Sequence, residues 1–416
     1  MCAASRGTWT AAGTRNKPHF VTNYTSLLLI LAGLTMVGPL AIDAYLPSFT
    51  SIRETLHTTD YMVQLTLGAF TAAFATTMLF YGTLSDSFGR RKVILWSLGI
   101  YTLASLGAAL SPNIESLIAF RLLQGLGAGG GGVVARAVVR DRFTGSEAQR
   151  MMSQMTMVFG LAPALAPILG GWIEVGLGWR WVFGMSVLFG VVMLWACWHH
   201  LPESLPASKR QPFQFGAVAR SYVDCIRNPR FMLLIVLSGF AFAGFSIYIG
   251  SASHFVVGIL GKTETDFGWM FVPLVGGLIL GAALASRLAH KMRRLSFFYT
   301  AYALCGTAIA VNVGYNLFTT QAQTPWAVLP LFIYSFGISF LAPAVTMSAM
   351  DLLPKTQGLA SSLQSFVQMM LFSVMVSVVA PLLYSHALLL AFGMTSMITL
   401  SFALFVWVRR VYRYPQ

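Results

Sequence analysis

Runs of about twenty apolar residues, the length a helix needs to cross roughly 30 Å of hydrocarbon, recur from residue 24 to residue 408. No soluble domain interrupts them. Hydropathy places twelve spans, at 24–49, 61–82, 93–111, 114–138, 152–175, 180–200, 231–254, 267–289, 295–316, 326–349, 357–383 and 386–408. Of the 416 residues, 56% are hydrophobic and only 10% charged, against about a quarter charged in soluble domains. That balance excludes a water-soluble fold of this size and predicts an all-α membrane protein of 12 transmembrane helices.

The formal charge of +14 raises the question of nucleic acid, which basic chains often meet. The placement of the charges answers it. With the amino terminus set inside, 23 of the 27 Lys and Arg fall on one face, including Arg90, Arg91, Lys92, Arg136, Arg140 and Arg142. The opposite face has Arg53, Arg180 and Lys262, and Arg121 lies within a span. Such asymmetry marks cytoplasmic loops and puts both termini in the cytoplasm. No nucleic-acid partner is implied. The first twenty residues carry Arg6, Arg15 and Lys17 but no apolar signal core, so residues 1–23 read as a cytoplasmic tail. Cys2, Cys197, Cys225 and Cys305 lack metal spacing and any evident pairing.

The longest polar stretch, Leu201 to Arg230, contains Pro202, Pro206, Pro212 and Pro229 with five basic residues and divides the spans six and six. It reads as a cytoplasmic linker, 201–230, between an amino-terminal bundle, 24–200, and a carboxy-terminal bundle, 231–408, with a short tail at 409–416. Two such halves imply alternating access around a site near the midplane. Gly125, Gly127 and Gly129 to Gly132 crowd the fourth span. Close helix packing accounts for them, and no strand precedes them to make a dinucleotide loop.

The loop after the second span reads Gly82-Thr83-Leu84-Ser85-Asp86-Ser87-Phe88-Gly89-Arg90-Arg91-Lys92. Topology alone needs neither its glycines, which permit a tight turn, nor its aspartate. The segment resembles the loop motif of the major facilitator superfamily across nearly all of its eleven residues. The resemblance implies that Asp86 faces the amino end of the eleventh helix near Gln357 and Gly358. It also implies that Arg90 pairs with Asp141, and that these contacts latch the cytoplasmic side shut in the outward-open state. The fifth span holds Gly160, Pro163, Pro167, Gly170 and Gly171 in GLAPALAPILGG. It looks like the helix-five motif of the superfamily's antiporters and favours export; an ordinary proline-kinked helix is the other reading.

Asp43, in Ala41-Ile42-Asp43-Ala44-Tyr45-Leu46-Pro47, is the one acid placed well inside a predicted span. A charged, unpaired carboxylate there costs several kcal/mol and usually serves a function. Asp43 precedes Phe49 by six residues and Arg121 follows Ile114 by seven, so both lie roughly 10 Å below the outer ends of their helices and within mutual reach. A carboxylate in such a place can alternate between protonated and ionised forms as its surroundings change. Asp43 is accordingly expected to carry the proton and Arg121 to partner it electrostatically. A structural ion pair is the alternative.

Together these segments look most like the bicyclomycin-resistance/CflA branch of the drug:proton antiporters. The likeness covers the amino-terminal half; the corresponding later loop, Ser286 to Arg294, lacks the glycines and the acid. Cavity candidates are Tyr45, Gln64, Gln124, Gln154, Met155, Tyr248, Asn312, Gln364 and Gln368, because polar groups in a membrane core face the bundle interior and Met adapts to varied apolar ligands. Each alone is more often packing. His254 titrates near neutrality if exposed, or serves as an interfacial residue. The function expected is proton-coupled export of small, moderately apolar drugs or metabolites, by a monomer in a bacterial inner membrane. A proton-linked importer is the alternative on the same fold. No cofactor, metal or catalytic residue is implied, and no catalytic cluster or signalling domain supports a membrane enzyme or sensor.

Overall fold

The computed structural model describes residues 24–412 apart from 290, 320 and 355. The amino-terminal tail to residue 23, Lys355 and Arg413 lie outside the described residues. Among the described residues, twelve helices are long and apolar enough to cross a membrane. In chain order, spans 1 to 6 are Tyr24–Thr55, Asp60–Phe88, Arg90–Ala109, Ile114–Arg142, Gly145–Leu177 and Trp179–His200. Spans 7 to 12 are Pro229–Gly250, Glu264–Leu288, Arg294–Phe318, Leu329–Leu352, Gln357–Leu383 and Ala387–Val411. Capping sets several starts. The side chains of Thr59, Asn113 and Asn228 accept from the amides of Met62, Ser116 and Phe231, satisfying donors that a helix leaves open at its first turn.

The described spans pack as two six-helix bundles. Span 4 packs on spans 2 and 3 in the first, and span 10 packs on spans 8 and 9 in the second. Between bundles, span 2 lies against span 11 and span 5 against span 8. The loop basic residues such as Arg90, Arg91 and Lys92 mark one end of the molecule, called here the basic end; Arg53, Arg180 and Lys262 lie at the far end. Polar contacts between bundles gather at the far end. Gln64 Nε2 donates to the Gly250 carbonyl at 2.6 Å and Ser373 Oγ to the Gly68 carbonyl at 2.9 Å. The far end is therefore closed.

Three features depart from the predicted spans. Span 1 is interrupted: the helix Tyr24–Asp43 ends at a turn, and a 3-10 segment, Leu46–Ser48, leads into a second helix, Phe49–Thr55. Pro47 sits in the 3-10 segment, where its missing amide donor removes a helical bond. Span 7 ends at Gly250, and a π-helical turn, His254–Ile259, follows it. The 201–230 stretch, expected to be a plain linker, carries a helix at Phe215–Ile226. Its Tyr222 and Cys225 are buried while Val223 and Ile226 are exposed.

Candidate transport site and latch

Asp43 is the last residue of the first helix of span 1 and is only 4% exposed. Helix geometry fixes its direction. Gly33 meets Met193 of span 6, Gly38 meets Phe74 of span 2, and Ala44 packs on Gly170 of span 5. The Ala41 carbonyl faces span 4, accepting from Arg121. At 100° per residue these positions share one arc, and Asp43 falls outside it, about 200° around from Ala41. Its buried carboxylate thus points away from Arg121 and from these packing partners. Among the described residues it has no hydrogen bond or ion pair.

Arg121 does not reach it. The guanidinium is wholly buried in span 4, donates from Nη1 to the Ala41 carbonyl at 3.1 Å and to Gln124 Oε1 at 2.6 Å, and lies over the rings of Phe70 and Tyr45 at 4.3 and 4.5 Å. Gln124 passes the chain on to Ser105 Oγ at 2.7 Å. Cation–π contact in a desolvated cage is worth about 2 kcal/mol or more, so aromatic rings stand where the expected carboxylate does not. Nε and Nη2 have no hydrogen-bond partner among the described residues.

The loop motif forms a compact charge network at the basic end. Arg90, 7% exposed, pairs with Asp86 at 2.6 Å and with Asp141 at 2.9 Å, and its Nη1 donates to Ser85 Oγ. Gly89 has φ 96°, a backbone state that side chains resist. Gly82 lies beside Val133. Arg91 donates to the Trp198 carbonyl and stacks on that ring at 5.6 Å. Asp86 makes no hydrogen bond to Gln357 or Gly358 among the described residues; it borders a cleft of about 320 Å³ with Thr83, Pro212 and Phe213. The sequence reading missed Glu203. Its carboxylate accepts from the Arg90 amide at 2.9 Å and the Arg91 amide at 3.3 Å and pairs with Arg210 at 3.7 Å. It caps span 3 from 113 residues away. Ser204 Oγ adds a bond to Asp141 at 2.9 Å. An acid just past a long apolar run, in a mostly basic segment, was the available signal.

In span 5, Pro163 and Pro167 lie within one unbroken helix. Gly160 approaches Ile279 of span 8. Carbons added at Gly170 and Gly171 would overlap the Ala44 and Glu264 carbonyl oxygens, so these glycines let span 5 close on both span 1 and the second bundle. Glu174, buried three residues before the helix ends and with Oε2 unpartnered, is a second acid that the reading passed over. The cavity candidates scatter. Tyr45 bonds Thr66 at 2.7 Å, Gln154 accepts from Tyr24 at 2.7 Å, Asn312 donates to Tyr248 at 2.8 Å and Gln364 to Thr346 at 3.0 Å. Met155 is buried and Gln368 half-buried. Gln64 holds the far-end seam and Gln124 the Arg121 cage.

Two six-helix bundles with a closed far end and a charge network at the basic end make the arrangement of a membrane carrier for small solutes, a transporter and not an enzyme. The chain belongs to the Major Facilitator Superfamily, which it matches over residues 31–376. It is 31% identical over 355 residues to the uncharacterized MFS-type transporter YdgK of Bacillus subtilis, covering 84% of this chain and 87% of that one. It is 27% identical over 381 residues to a bicyclomycin resistance protein homolog of Haemophilus influenzae (90% and 94% covered). Multidrug resistance protein D of Escherichia coli is 28% identical over 344 residues (81% and 84%). Among solved structures, a bacterial homolog of the human lysosomal transporter Spinster superposes with a TM-score of 0.72 at 16% identity, covering 93% of this chain and 97% of that one. The D-xylose-proton symporter gives 0.68 at 13%, covering 92% and 97%. At those identities the likeness is one of fold.

Proposed function

We propose that this protein exports small, moderately apolar drugs or metabolites from a bacterial cell in exchange for protons, with the basic end cytoplasmic. Asp43 carries the proton. The observation behind this reading is the isolation of its carboxylate, which is buried beside the break in span 1 and has no bonding partner among the described residues. An unpaired carboxylate in a membrane interior is unfavourable while charged. Proton uptake relieves that penalty, and rocking of the bundles changes its exposure. The resistance names of the relatives from Haemophilus influenzae and Escherichia coli support efflux over nutrient import. Arg121 holds span 4 to span 1 and shapes the ground beneath the site. The closed far end supports an inward-facing reading of this form, in which the Asp86–Arg90–Asp141 network, anchored by Glu203, meets span 11 when the basic end shuts.

The test uses everted membrane vesicles from cells producing the protein, energised to an acidic interior, with radiolabelled chloramphenicol as first probe, since one relative from Pseudomonas aeruginosa bears the name chloramphenicol resistance protein. Accumulation that collapses with the pH gradient and is lost in Asp43→Asn supports the reading. Gradient-driven accumulation by Asp43→Asn equal to that of the unmodified protein would remove Asp43 from the proton path.

A further inference from the structure

A second titratable group sits in the far-end seam. His254 opens the π-helical turn after span 7, and its Nε2 lies 3.8 Å from Asp60 Oδ1 at the start of span 2, in the other bundle. The ring stacks on Tyr384, just beyond span 11, with centroids 3.7 Å apart and planes 13° from parallel. Its Nδ1 is buried and unpartnered. Asp60 is already engaged by Arg53 Nη1 at 3.2 and 3.4 Å, and Arg53 also pairs with Glu54 at 3.5 Å. Nearby charges on the following loop are committed elsewhere: Asp266 caps Thr263, and Lys262 lies over Trp269.

We propose that His254, wedged between Asp60 of one bundle and Tyr384 of its own, is a proton-sensing latch that releases the far end on protonation. The neutral ring fits the closed seam, with its flat face on Tyr384 and one nitrogen excluded from water. An imidazolium there loses its solvation and must share a carboxylate that Arg53 already holds. Asp60 attracts it, but burial and the neighbouring guanidinium prevail, and the closed state holds the His254 proton affinity below the ordinary histidine range. Separation of the bundles returns the ring to water and to its ordinary affinity, near pH 6.5.

The sign follows by linkage. The open form binds the proton more tightly than the closed form, so acid shifts the population toward the form open at the far end. With that end facing outside, a point that rests on the orientation proposed above, external acid exposes the interior as protons become available to enter. His254 would then gate the access that Asp43 uses, without itself carrying the transported proton.

The experiment follows opening directly and needs no substrate. Full-length protein carrying C2S and spin labels at T55C and G258C, exposed positions at the far end of the two bundles, is placed in lipid nanodiscs and the inter-label distance recorded from pH 8 to pH 5. The expected result is an open-to-closed ratio that rises by about threefold or more on acidification. His254→Gln should flatten that step, and His254→Lys, which holds a charge throughout, should be open-biased at every pH. An undiminished step in His254→Gln, a closed-biased His254→Lys, or closing on acidification of the unmodified protein would each overturn the proposal. Repeating the series in Asp43→Asn keeps the two sites distinct. The step persists there if it belongs to His254, whatever happens to proton-coupled transport.

Discussion

The Arg121 guanidinium meets span 1 at the carbonyl oxygen of Ala41, 3.1 Å away, and the turn of the helix carries the Asp43 carboxylate to the opposite side. Buried Arg121 and buried Asp43 are therefore separable in function. One is enclosed by Tyr45, Phe70 and Gln124 inside the bundle; the other is left unbonded where the bundle ends.

That separation predicts different phenotypes. Arg121→Ala should lower unfolding stability by about 2 kcal/mol or more, because it opens a cavity between the rings and leaves Gln124 Oε1 without its donor. Asp43→Asn removes no bond and should leave stability within about 1 kcal/mol of the parent while abolishing proton-coupled efflux. Thermal unfolding in detergent, read beside vesicle transport, measures both. Equal destabilisation by the two changes would contradict the geometry.

The basic-end network gives a second contrast. Asp86→Asn should abolish transport with membrane insertion unchanged, because Asp86 is half exposed in this state with only Arg90 paired to it among the described residues, and the latch proposed above adds span 11 when that helix approaches. Glu203→Gln should act differently. It weakens the charge-assisted cap on the Arg90 and Arg91 amides and the pairing to Arg210, at about 1–2 kcal/mol, so a lower melting temperature should accompany slower efflux. A Glu203→Gln protein as stable as its parent would show that the cap does not hold the loop.

Much of this architecture was legible in the chain, for identifiable reasons. Apolar length and loop charge are properties of single segments, so twelve spans could be read directly. The Asp86 to Lys92 loop was legible because its charges act within a few residues of one another. The pairing of Asp43 with Arg121 failed because depth along two helices was compared without direction around them, and two residues of helix turn a side chain by about 200°. Glu203 was missed because the amides it caps lie 112 and 113 residues away. The break in span 1 escaped because Pro47 lies near the end of an apolar run, where hydropathy does not register a lost amide.

Glycines in the fourth span supply an internal control. A methyl at Gly131 would overlap the Leu34 carbonyl oxygen of span 1, which is backbone and cannot swing aside, whereas at Gly132 the nearest atom is the Thr35 Cα at 4.0 Å. Gly131→Ala should cost about 1–3 kcal/mol by forcing spans 1 and 4 apart, and Gly132→Ala should be tolerated. Unfolding midpoints of the two variants check this. Similar midpoints would mean that the spans are not in backbone contact.

The far-end seam offers the last prediction. Gln64, 1% exposed, donates across the bundles to the Gly250 carbonyl at 2.6 Å, and Ser373 donates to Gly68 at 2.9 Å. Both bonds vanish when that end opens, and neither affects the interior of a bundle. Gln64→Ala with Ser373→Ala should therefore shift the equilibrium toward the open form by about 1–3 kcal/mol, tenfold or more in population, with little change in unfolding stability. The shift appears as faster maleimide labelling of a cysteine placed at Thr71, which shares the Gln64 and Gly68 face of span 2 and is fully buried here. If opening limits transport, efflux should quicken in the double variant; if return to the closed form limits it, efflux should slow while labelling still rises. Unchanged labelling would mean that these bonds form and break without holding the gate, leaving the seam to the packing of spans 2 and 11.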